Sequence, residues 1–295
     1  ETNVVVIGAG TAGMEAACTA AEVGCNTWLL EEKSHVGGLA STIALLPEKK
    51  RIADFPQFMK NRLSGLSNLM LQVGKRADVA SVAALHPQLI VNATGSVPLL
   101  PPIEGLRENI DAEGGRLFSI TGMIEHLDSF ADAAGKRIVV VGGGAVGLDV
   151  IEYFSARGAE TVLIEMQDAP GQDLDIITKN AMLTMLEEHQ VEQHMQTRLT
   201  AVAPDHFTVN TVNGTFDIPF DYGFVCLGMR ANRAGLDDIA QWAAANNVKT
   251  MNIGDSLSAR RIIDGVREGR NVLEILEDMG VLGNREAQQI PFLTY

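Results

Sequence analysis

The sequence lacks several signatures that would place a protein in a common class. Its three cysteines are too few for a disulfide framework, and no two of them have C-x-x-C spacing. The six histidines show neither H-x-x-x-H spacing nor a mixed cysteine and histidine pattern, so we expect no metal site. A G-x-S-x-G turn and a P-loop are also absent, which excludes the hydrolase and triphosphate-binding signatures.

Basic residues are scarce as well. Lysine and arginine number 23 against 37 aspartates and glutamates, and the formal net charge is −14. This charge repels nucleic acid and anionic membrane surfaces, so we expect neither as a partner. No apolar run reaches the length of a membrane span, and the few cysteines fit a reducing cytoplasm as the location. Because the chain begins with Glu1 rather than Met and enters a core strand almost at once, we expect a segment upstream of it.

The chain does contain one pattern twice. VVVIGAGTAGMEA begins at Val4 and IVVVGGGAVGLDV begins at Ile138, and each is a buried-strand run that enters a G-x-G-x-x-G turn. The register continues past the glycines, because WLLE and VLIE each end in a glutamate at the same distance from their turn. The glycines and acids of the two copies are Gly8, Gly10, Gly13 and Glu31, and Gly142, Gly144, Gly147 and Glu165.

Each copy has the features of a dinucleotide site. The first glycine permits a tight turn, the second lets backbone approach a pyrophosphate, and the third lets the helix lie close to the strand. The helix N-terminus then offers positive potential without a lysine, and the glutamate accepts hydrogen bonds from ribose hydroxyls. One such turn also occurs where only tight packing is needed, but two copies in register predict two bound dinucleotides.

The length of 295 residues allows two domains. Three prolines between Val97 and Pro102 mark a crossing from one domain to the next. We predict an α/β fold of two Rossmann-like, three-layer dinucleotide-binding domains, the second inserted into the first. The first domain would comprise residues 1–102 and 233–295, and the second residues 103–232.

Two local features give further predictions. Asn213-Gly214 lies between β-prone segments and predicts a hairpin with a two-residue turn. Apolar residues recur at helical spacing between Leu257 and Met279, which predicts one long amphipathic helix.

The order of the motifs resembles that of a flavoprotein family. EEKSHVGG follows the first glycine turn, NATG precedes the second turn, and NIGD comes near the end, as in flavoproteins with two dinucleotide-binding domains. More narrowly, GGLASTIALLPEKKRIADF and GDSLSARRIIDGVREGRNV resemble the C-terminal half of the 2,4-dienoyl-CoA reductase and NADH:flavin oxidoreductase group, which is related to old yellow enzyme. The resemblance covers essentially the whole chain.

This resemblance implies FAD on the first and last segments and NADH or NADPH on the middle insertion. In that group this half follows a TIM barrel that carries FMN and a four-iron cluster, so FMN and the 4Fe-4S cluster would belong to an upstream part. The residues that match FAD-binding positions are Gly8, Gly10, Ala12, Gly13, Glu31, Glu32, Lys33, Gly37, Gly38, Thr94, Gly95, Gly254 and Asp255. Those that match positions for the nicotinamide cofactor are Gly142, Gly144, Val146, Gly147, Glu165 and Gly228.

Some of these residues also have a structural interpretation. Asp255 is followed by serine and would serve equally as a helix N-cap. Asp149 and Glu152 follow the second glycine turn, where related reductases carry glutamates near the nicotinamide, but a solvated helix face is the simpler interpretation of both. They are the only catalytic candidates, and hydride transfer to a flavin needs little acid and base chemistry from the protein.

The second acid predicts which nicotinamide cofactor binds. Glu165 would bond both ribose hydroxyls but repel a 2′-phosphate, and Met166, Gln167 and Asp168 supply no cation to receive one. NADH is therefore expected over NADPH.

We expect an enzyme module that passes hydride from NADH to FAD and electrons to an upstream FMN and iron–sulfur domain or partner chain, where an enoate or enoyl-CoA is reduced. A homo-oligomer is compatible with this prediction. Two alternatives remain open. One is a nucleotide-binding module without redox activity, as in the trimethylamine dehydrogenase branch, and the other is a free-standing electron-transfer subunit resembling the small subunit of glutamate synthase.

Overall fold

The computed structural model describes residues 2–282, which form two compact units. The first unit contains residues 2–44, 50–96 and 231–282, and the second contains residues 45–49 and 97–230. Each unit is built on a five-stranded parallel sheet. Glu1 and the last thirteen positions of the expected first domain, 283–295, lie outside the described residues.

The chain begins in the first unit. Its elements there are β1 (Asn3–Ile7), α1 (Thr11–Glu22), β2 (Asn26–Leu30), α2 (Gly38–Ile43), α3 (Asp54–Ser64), β3 (Leu69–Gln72), α4 (Val79–Ala83) and β4 (Leu89–Asn92). A 3-10 helix, Pro47–Ala53, precedes α3.

The chain then passes through the second unit. The elements of this stretch are β5 (Ser96–Pro98), α5 (Leu106–Asn109), β6 (Leu117–Phe118), α6 (Ile120–Glu125), β7 (Arg137–Val141), α7 (Ala145–Ser155), β8 (Glu160–Ile164), α8 (Ile176–Glu188), β9 (Glu192–His194), β10 (Arg198–Val202), β11 (His206–Thr211), β12 (Gly214–Pro219), β13 (Tyr222–Val225) and β14 (Met229–Ala231). The parallel sheet has the order β6-β13-β7-β8-β9, β10 to β12 form an antiparallel sheet, and β5 pairs with β14. Thr211 pairs with Gly214 in the β11 and β12 hairpin, which confirms a hairpin with a two-residue turn. The turn residues are Val212 and Asn213, one position earlier than the predicted Asn213-Gly214, because Gly214 already belongs to β12.

The remaining elements belong to the first unit. They are α9 (Leu236–Ala245), β15 (Lys249–Asn252), α10 (Ile262–Arg270) and α11 (Val272–Asp278). The sheet order β15-β4-β1-β2-β3 places the last strand beside β4.

The prediction of one helix from Leu257 to Met279 is wrong. Asp255 accepts a hydrogen bond from the backbone N–H of Arg260 at 3.0 Å. This bond holds the segment between the two residues out of a helix. Asp264 accepts one from the N–H of Arg261 at 3.3 Å and starts α10 one residue later. The helix then ends at Arg270, and α11 begins at Val272.

The first unit has three layers. Within β1, Val4 and Val6 lie in the cluster that includes the buried face of α1, whereas Val5 and Ile7 lie in the cluster with Leu236 and neighbouring residues of α9. The strand is therefore buried on both faces, as expected for the centre of a parallel sheet.

The second unit also packs other elements against its parallel sheet, but here the antiparallel sheet supplies part of the core. Val139 and Val141 of β7 pack with Phe207 and Val209 of the antiparallel sheet. Around Phe154 of α7, aromatic rings form another packed group. The α/β class with Rossmann-like layers is thereby confirmed. Among residues 2–282, no helix combines the length and the apolar character needed to cross a membrane.

Candidate nucleotide-binding sites

The first glycine turn joins β1 to α1, and two of its glycines are required by the chain itself. Gly8 has φ +100°, and a Cβ there would lie 2.3 Å from the carbonyl oxygen of Ala93. A Cβ on Gly13 would lie 1.9 Å from the carbonyl oxygen of Gly8. These distances leave no room for a side chain, so both glycines allow the helix to approach the strand.

Gly10 lies in open space by contrast. Its φ is −74°, a value open to any residue, and a Cβ there would meet nothing closer than the Cα of Gly38 at 3.9 Å. Helix α1 begins at Thr11 without a side-chain cap. Its first N–H groups therefore have room for an anionic group, and the turn fits the pyrophosphate of FAD.

The double glycine of the EEKSHVGG motif lies against this turn. The N–H of Gly37 donates to the carbonyl of Ala9 at 2.8 Å, and a Cβ on Gly38 would lie 2.9 Å from the Cα of Gly10. Both residues have positive φ, which favours glycine. The structure thus brings together the two glycine motifs that the sequence separates.

Glu31 directly follows β2 beside the first turn and is 8 % exposed. One carboxylate oxygen accepts from the N–H of Ala9 at 2.8 Å, and the other accepts from the N–H of Lys33 at 2.9 Å. Glu31 therefore fixes the shape of the turn, a role that sequence reasoning missed. Each oxygen retains a lone pair for a ribose hydroxyl. Glu32 is exposed.

Thr94 and Gly95 lie where the chain leaves the first unit. The hydroxyl of Thr94 donates to the carbonyl of Asn232 at 2.6 Å, and the N–H of Asn232 donates to the carbonyl of Gly95 at 2.8 Å. The departing and returning segments are therefore held together.

Asp255 occupies a 3-10 turn, Gly254–Ser256, and does not cap a longer helix. Its carboxylate accepts from the hydroxyl of Ser96 at 2.7 Å and from the N–H of Arg260. Gly254 has φ +61°, and its N–H donates to Glu268 at 2.6 Å. Nothing in the sequence pattern indicated that Ser96 or Glu268 would orient this turn.

The second glycine turn repeats the first. A Cβ on Gly142 would lie 2.1 Å from the carbonyl oxygen of Cys226, and one on Gly147 would lie 1.8 Å from the carbonyl oxygen of Gly142. Glu165 accepts from the N–H groups of Gly143 at 2.6 Å and Gln167 at 2.7 Å. Both acids of the duplicated pattern therefore brace their own turns in the same way.

One contact distinguishes the second turn. A carboxylate oxygen of Asp173 accepts from the N–H of Ala145, the first residue of α7, at 3.2 Å. The same oxygen would lie 3.2 Å from a Cβ on Gly144. A side chain of the protein therefore caps this helix, and no feature of the sequence predicted it. Val146 lies in the first turn of α7.

Gly228 lies in the second unit between β13 and β14. It has φ +100°, and its carbonyl accepts from the N–H of Leu99 at 2.9 Å. The turn after β13 therefore explains why a glycine occupies this position. Binding of the nicotinamide cofactor by Gly228 stays a prediction.

Asp149 and Glu152 face a cation rather than open solvent. Lys49 lies in the second unit, 2.8 Å from a carboxylate oxygen of Asp149 and 3.4 Å from one of Glu152. Burial raises the pKa of Asp149, an effect that Lys49 opposes and Glu152 reinforces. Burial alone would lower the pKa of Lys49, but its hydrogen bond to Asp149 and the two negative charges outweigh burial and raise it. No pattern in the sequence indicated that Lys49 would pair with these two acids.

We expect Lys49→Met to destabilise the protein by about 1 to 2 kcal/mol at pH 7, because it leaves the buried carboxylate of Asp149 without its cation. The pKa of Asp149 is then raised further, and the folded protein binds a proton more readily than the unfolded one. Stability consequently falls as pH rises, so the deficit should be smaller at pH 5 than at pH 7. Urea unfolding of the variant and the wild type at both pH values measures this loss of stability.

The neighbouring Lys50 provides the control, because it is exposed. Lys50→Met should change stability by less than about 0.5 kcal/mol at either pH. In the double variant Lys49→Met, Asp149→Asn, most of the pH dependence of the deficit should disappear. Equal deficits for Lys49→Met at both pH values would contradict this account.

The three thiols are buried. Burial raises the pKa of Cys18 to about 11 and that of Cys226 to about 12. It also raises the pKa of Cys25. A reactive thiolate is therefore disfavoured at all three positions, and each packs as a small apolar residue. Among residues 2–282, no three metal-binding side chains come together.

Residues 2–250 match the sequence profile described as pyridine nucleotide-disulphide oxidoreductase. The chain belongs to this family. Membership makes it an oxidoreductase with the expected two-domain flavoprotein fold. The name of the family also refers to a disulphide, and the buried thiols of this chain are unsuited to that part of the chemistry.

Two curated relatives show the extent of the similarity. The bilirubin reductase of Mediterraneibacter gnavus is 27% identical over 78% of this chain and 34% of its own length. The NADH oxidase of Thermoanaerobacter brockii is 28% identical over 92% of this chain and 40% of its own length. The chain therefore spans well under half the length of these relatives.

A solved structure of 2-naphthoyl-CoA reductase with 2-naphthoyl-CoA superimposes with a TM-score of 0.79 at 22% identity. The match covers 91% of this chain and 39% of the reductase. At this identity it shows the fold. Together with the family match, it confirms the pyridine nucleotide-disulphide oxidoreductase-like fold that the resemblance implies.

Proposed function

We propose that the chain is the FAD- and NADH-binding part of a larger reductase. The observation that carries this proposal is the duplicated turn, in which each glycine loop is braced by the glutamate that follows the next strand. Tight packing alone accounts for a single glycine turn, whereas two turns in the same register, each with its own acid, favour two nucleotide sites. Residues 1–102 and 233–295 would hold FAD, and residues 103–232 would hold the nicotinamide cofactor.

The first turn suits FAD because the start of α1 is open. Gly10 and the free N–H groups from Thr11 onward would receive the pyrophosphate, Glu31 the adenosine ribose, and Asp255 the ribityl end. When bound, FAD would accept a hydride from NADH and pass on electrons. The contribution of the protein is to bind and orient, and the fixed positions of Glu31 and Asp255 suit that task.

The second turn would take NADH. Glu165 is held by two backbone N–H groups and points a negative charge at the position of the adenosine ribose, where NADPH carries a phosphate. We expect kcat/KM for NADH to exceed that for NADPH by at least about tenfold, which corresponds to about 1.4 kcal/mol. Steady-state kinetics with both cofactors measure the ratio, and a preference for NADPH would reject this role of Glu165.

The electrons would go to an FMN and iron–sulfur domain or partner chain and reduce an enoate or enoyl-CoA. The relatives named for the reduction of bilirubin and of 2-naphthoyl-CoA are much longer than this chain, which supports an acceptor outside it. A reducing cytoplasm and a homo-oligomer are part of the same proposal.

The proposal is tested by the visible spectrum. The purified protein should show the absorbance of oxidised flavin, and NADH added without oxygen should bleach it. A colourless protein that binds ADP but no FAD would instead be a nucleotide-binding module without redox activity.

This second candidate has one observation in its favour. Asp173 caps the helix of the second turn, as a side chain would in a site that holds no nucleotide. A protein that binds FAD but whose flavin is not reduced by NADH would also be consistent with a second turn that binds no nicotinamide cofactor.

A further inference from the structure

The loop of residues 166–173 closes over the second glycine turn. The N–H of Gly171 donates to the carbonyl of Gly143 at 2.7 Å, and Asp173 accepts from the N–H of Ala145 at 3.2 Å. Ala145 begins α7, so its N–H is one of the groups that a pyrophosphate uses at such a turn. The carboxylate of Asp173 therefore takes a hydrogen bond that the cofactor would need.

The first turn provides an internal comparison. There, a Cβ on Gly10 would meet nothing closer than 3.9 Å, and no side chain among residues 2–282 accepts a hydrogen bond from the N–H of Thr11, the first residue of α1. At the equivalent Gly144, the two carboxylate oxygens of Asp173 would lie 3.2 and 3.5 Å from a Cβ. The two copies of one motif thus differ at the point where an anion would bind.

The space that remains beside the second turn is small. A cavity of about 190 Å³ lies between Glu165 and the 166–173 loop. This cavity lies directly against Gly143 and Gly144, so the 166–173 loop takes up part of the space beside the turn. Pro170 adds to the closure, because its Cβ would lie 3.1 Å from a Cβ on Gly143.

We propose that Asp173 is an internal competitor of the pyrophosphate of the nicotinamide cofactor. The cofactor binds when the 166–173 loop leaves the second glycine turn, and its affinity is lowered by the free energy of that opening. The carboxylate acts twice, because it caps the helix in the closed state and repels phosphate as the cofactor enters. This inference rests on the proposed function, since it concerns the same cofactor site.

The test compares NAD⁺ binding by the purified protein, with its flavin, among the wild type, Asp173→Asn and Asp173→Ala. NAD⁺ is the probe because it cannot reduce the flavin. We expect both variants to bind NAD⁺ about five- to tenfold more tightly, measured by isothermal titration calorimetry. Hydrogen exchange in the wild type should show that amides of the 166–173 loop lose protection when NAD⁺ binds.

Asp168→Asn is the matched control. It removes the same charge from the same loop, but the carboxylate of Asp168 bonds to Gln172 at 3.3 Å rather than to the turn. Its NAD⁺ affinity should stay within about twofold of the wild type. Equal tightening by this control would overturn the proposal in favour of general charge repulsion.

The proposal would also be overturned if both Asp173 variants bound NAD⁺ with unchanged or weaker affinity. The same holds if neither the wild type nor any variant bound NAD⁺ detectably. If Asp173→Ala fails to fold, Asp173→Asn and the hydrogen exchange of the wild type decide. The proposed function fails by a different observation, namely the absence of flavin or of its bleaching by NADH. NAD⁺ affinity that rises in a protein without flavin would support the role of Asp173 and reject the reductase.

Discussion

Gly10→Ala should yield a folded protein that has lost its flavin. Gly10 has φ −74°, and a Cβ there meets only the Cα of Gly38 at 3.9 Å, so the polypeptide accommodates alanine. The new methyl group would instead occupy the space through which a pyrophosphate approaches the start of α1. Losing two charge-assisted hydrogen bonds, worth about 1.5 kcal/mol each, lowers the affinity for FAD by at least about 100-fold. Flavin content after purification, and titration of the apoprotein with FAD, measure the loss.

Stability has to be compared between apoproteins, because bound FAD itself stabilises the folded state. Apoprotein carrying Gly10→Ala should differ from wild-type apoprotein by about 1 kcal/mol or less. Alanine is a poorer N-cap than glycine, but it also lowers the conformational entropy of the unfolded chain, and the two effects oppose each other. The result would be contradicted by a variant that retains FAD with wild-type affinity, or by one whose apoprotein is unfolded.

The sequence was sufficient to predict the local arrangement of each glycine turn, whose parts lie close together in the chain. The strand, the glycine turn, the helix and the following acid form one βαβ unit, so the positions of Gly13 and Glu31 beside the turn follow from local geometry. The acid of each copy falls at the same distance from its turn. The same position beside the turn is therefore predicted for Glu31 and for Glu165. The fold class followed from this pattern and is confirmed.

Contacts between distant segments were beyond sequence reasoning. Asp173 lies 28 positions after Ala145, and the composition of its loop does not indicate which helix it caps. Lys49 is far from Asp149 in the chain, and only the folded second unit shows that they pair. A periodic pattern predicted one helix after Asp255, but hydrogen bonds from Arg260 and Arg261 delayed its start. In each case a tertiary contact determined what local propensity left open.

Gly13→Ala should unfold far more readily than the wild type. A Cβ on Gly13 would lie 1.9 Å from the carbonyl oxygen of Gly8 and 3.1 Å from the Cβ of Ala93. The first of these atoms belongs to the backbone of the turn that follows β1 and has no rotamer by which to move. Helix α1 would have to withdraw from β1, and its buried face, which includes Met14 and Ala17, would lose packing. We expect a loss of about 3 kcal/mol.

Thermal unfolding of the apoproteins tests this expectation, with a decrease in Tm of roughly 6 to 12 °C for Gly13→Ala. Gly10→Ala is its control, because the same methyl group is added three residues earlier on the same turn, where the space is open. One substitution removes the ligand and leaves the fold, whereas the other weakens the fold itself. Equal Tm values for the two apoproteins would mean that Gly13 is not needed for the close approach of α1 to β1. The assignment of Gly10 to the phosphate and of Gly13 to helix packing would then be wrong.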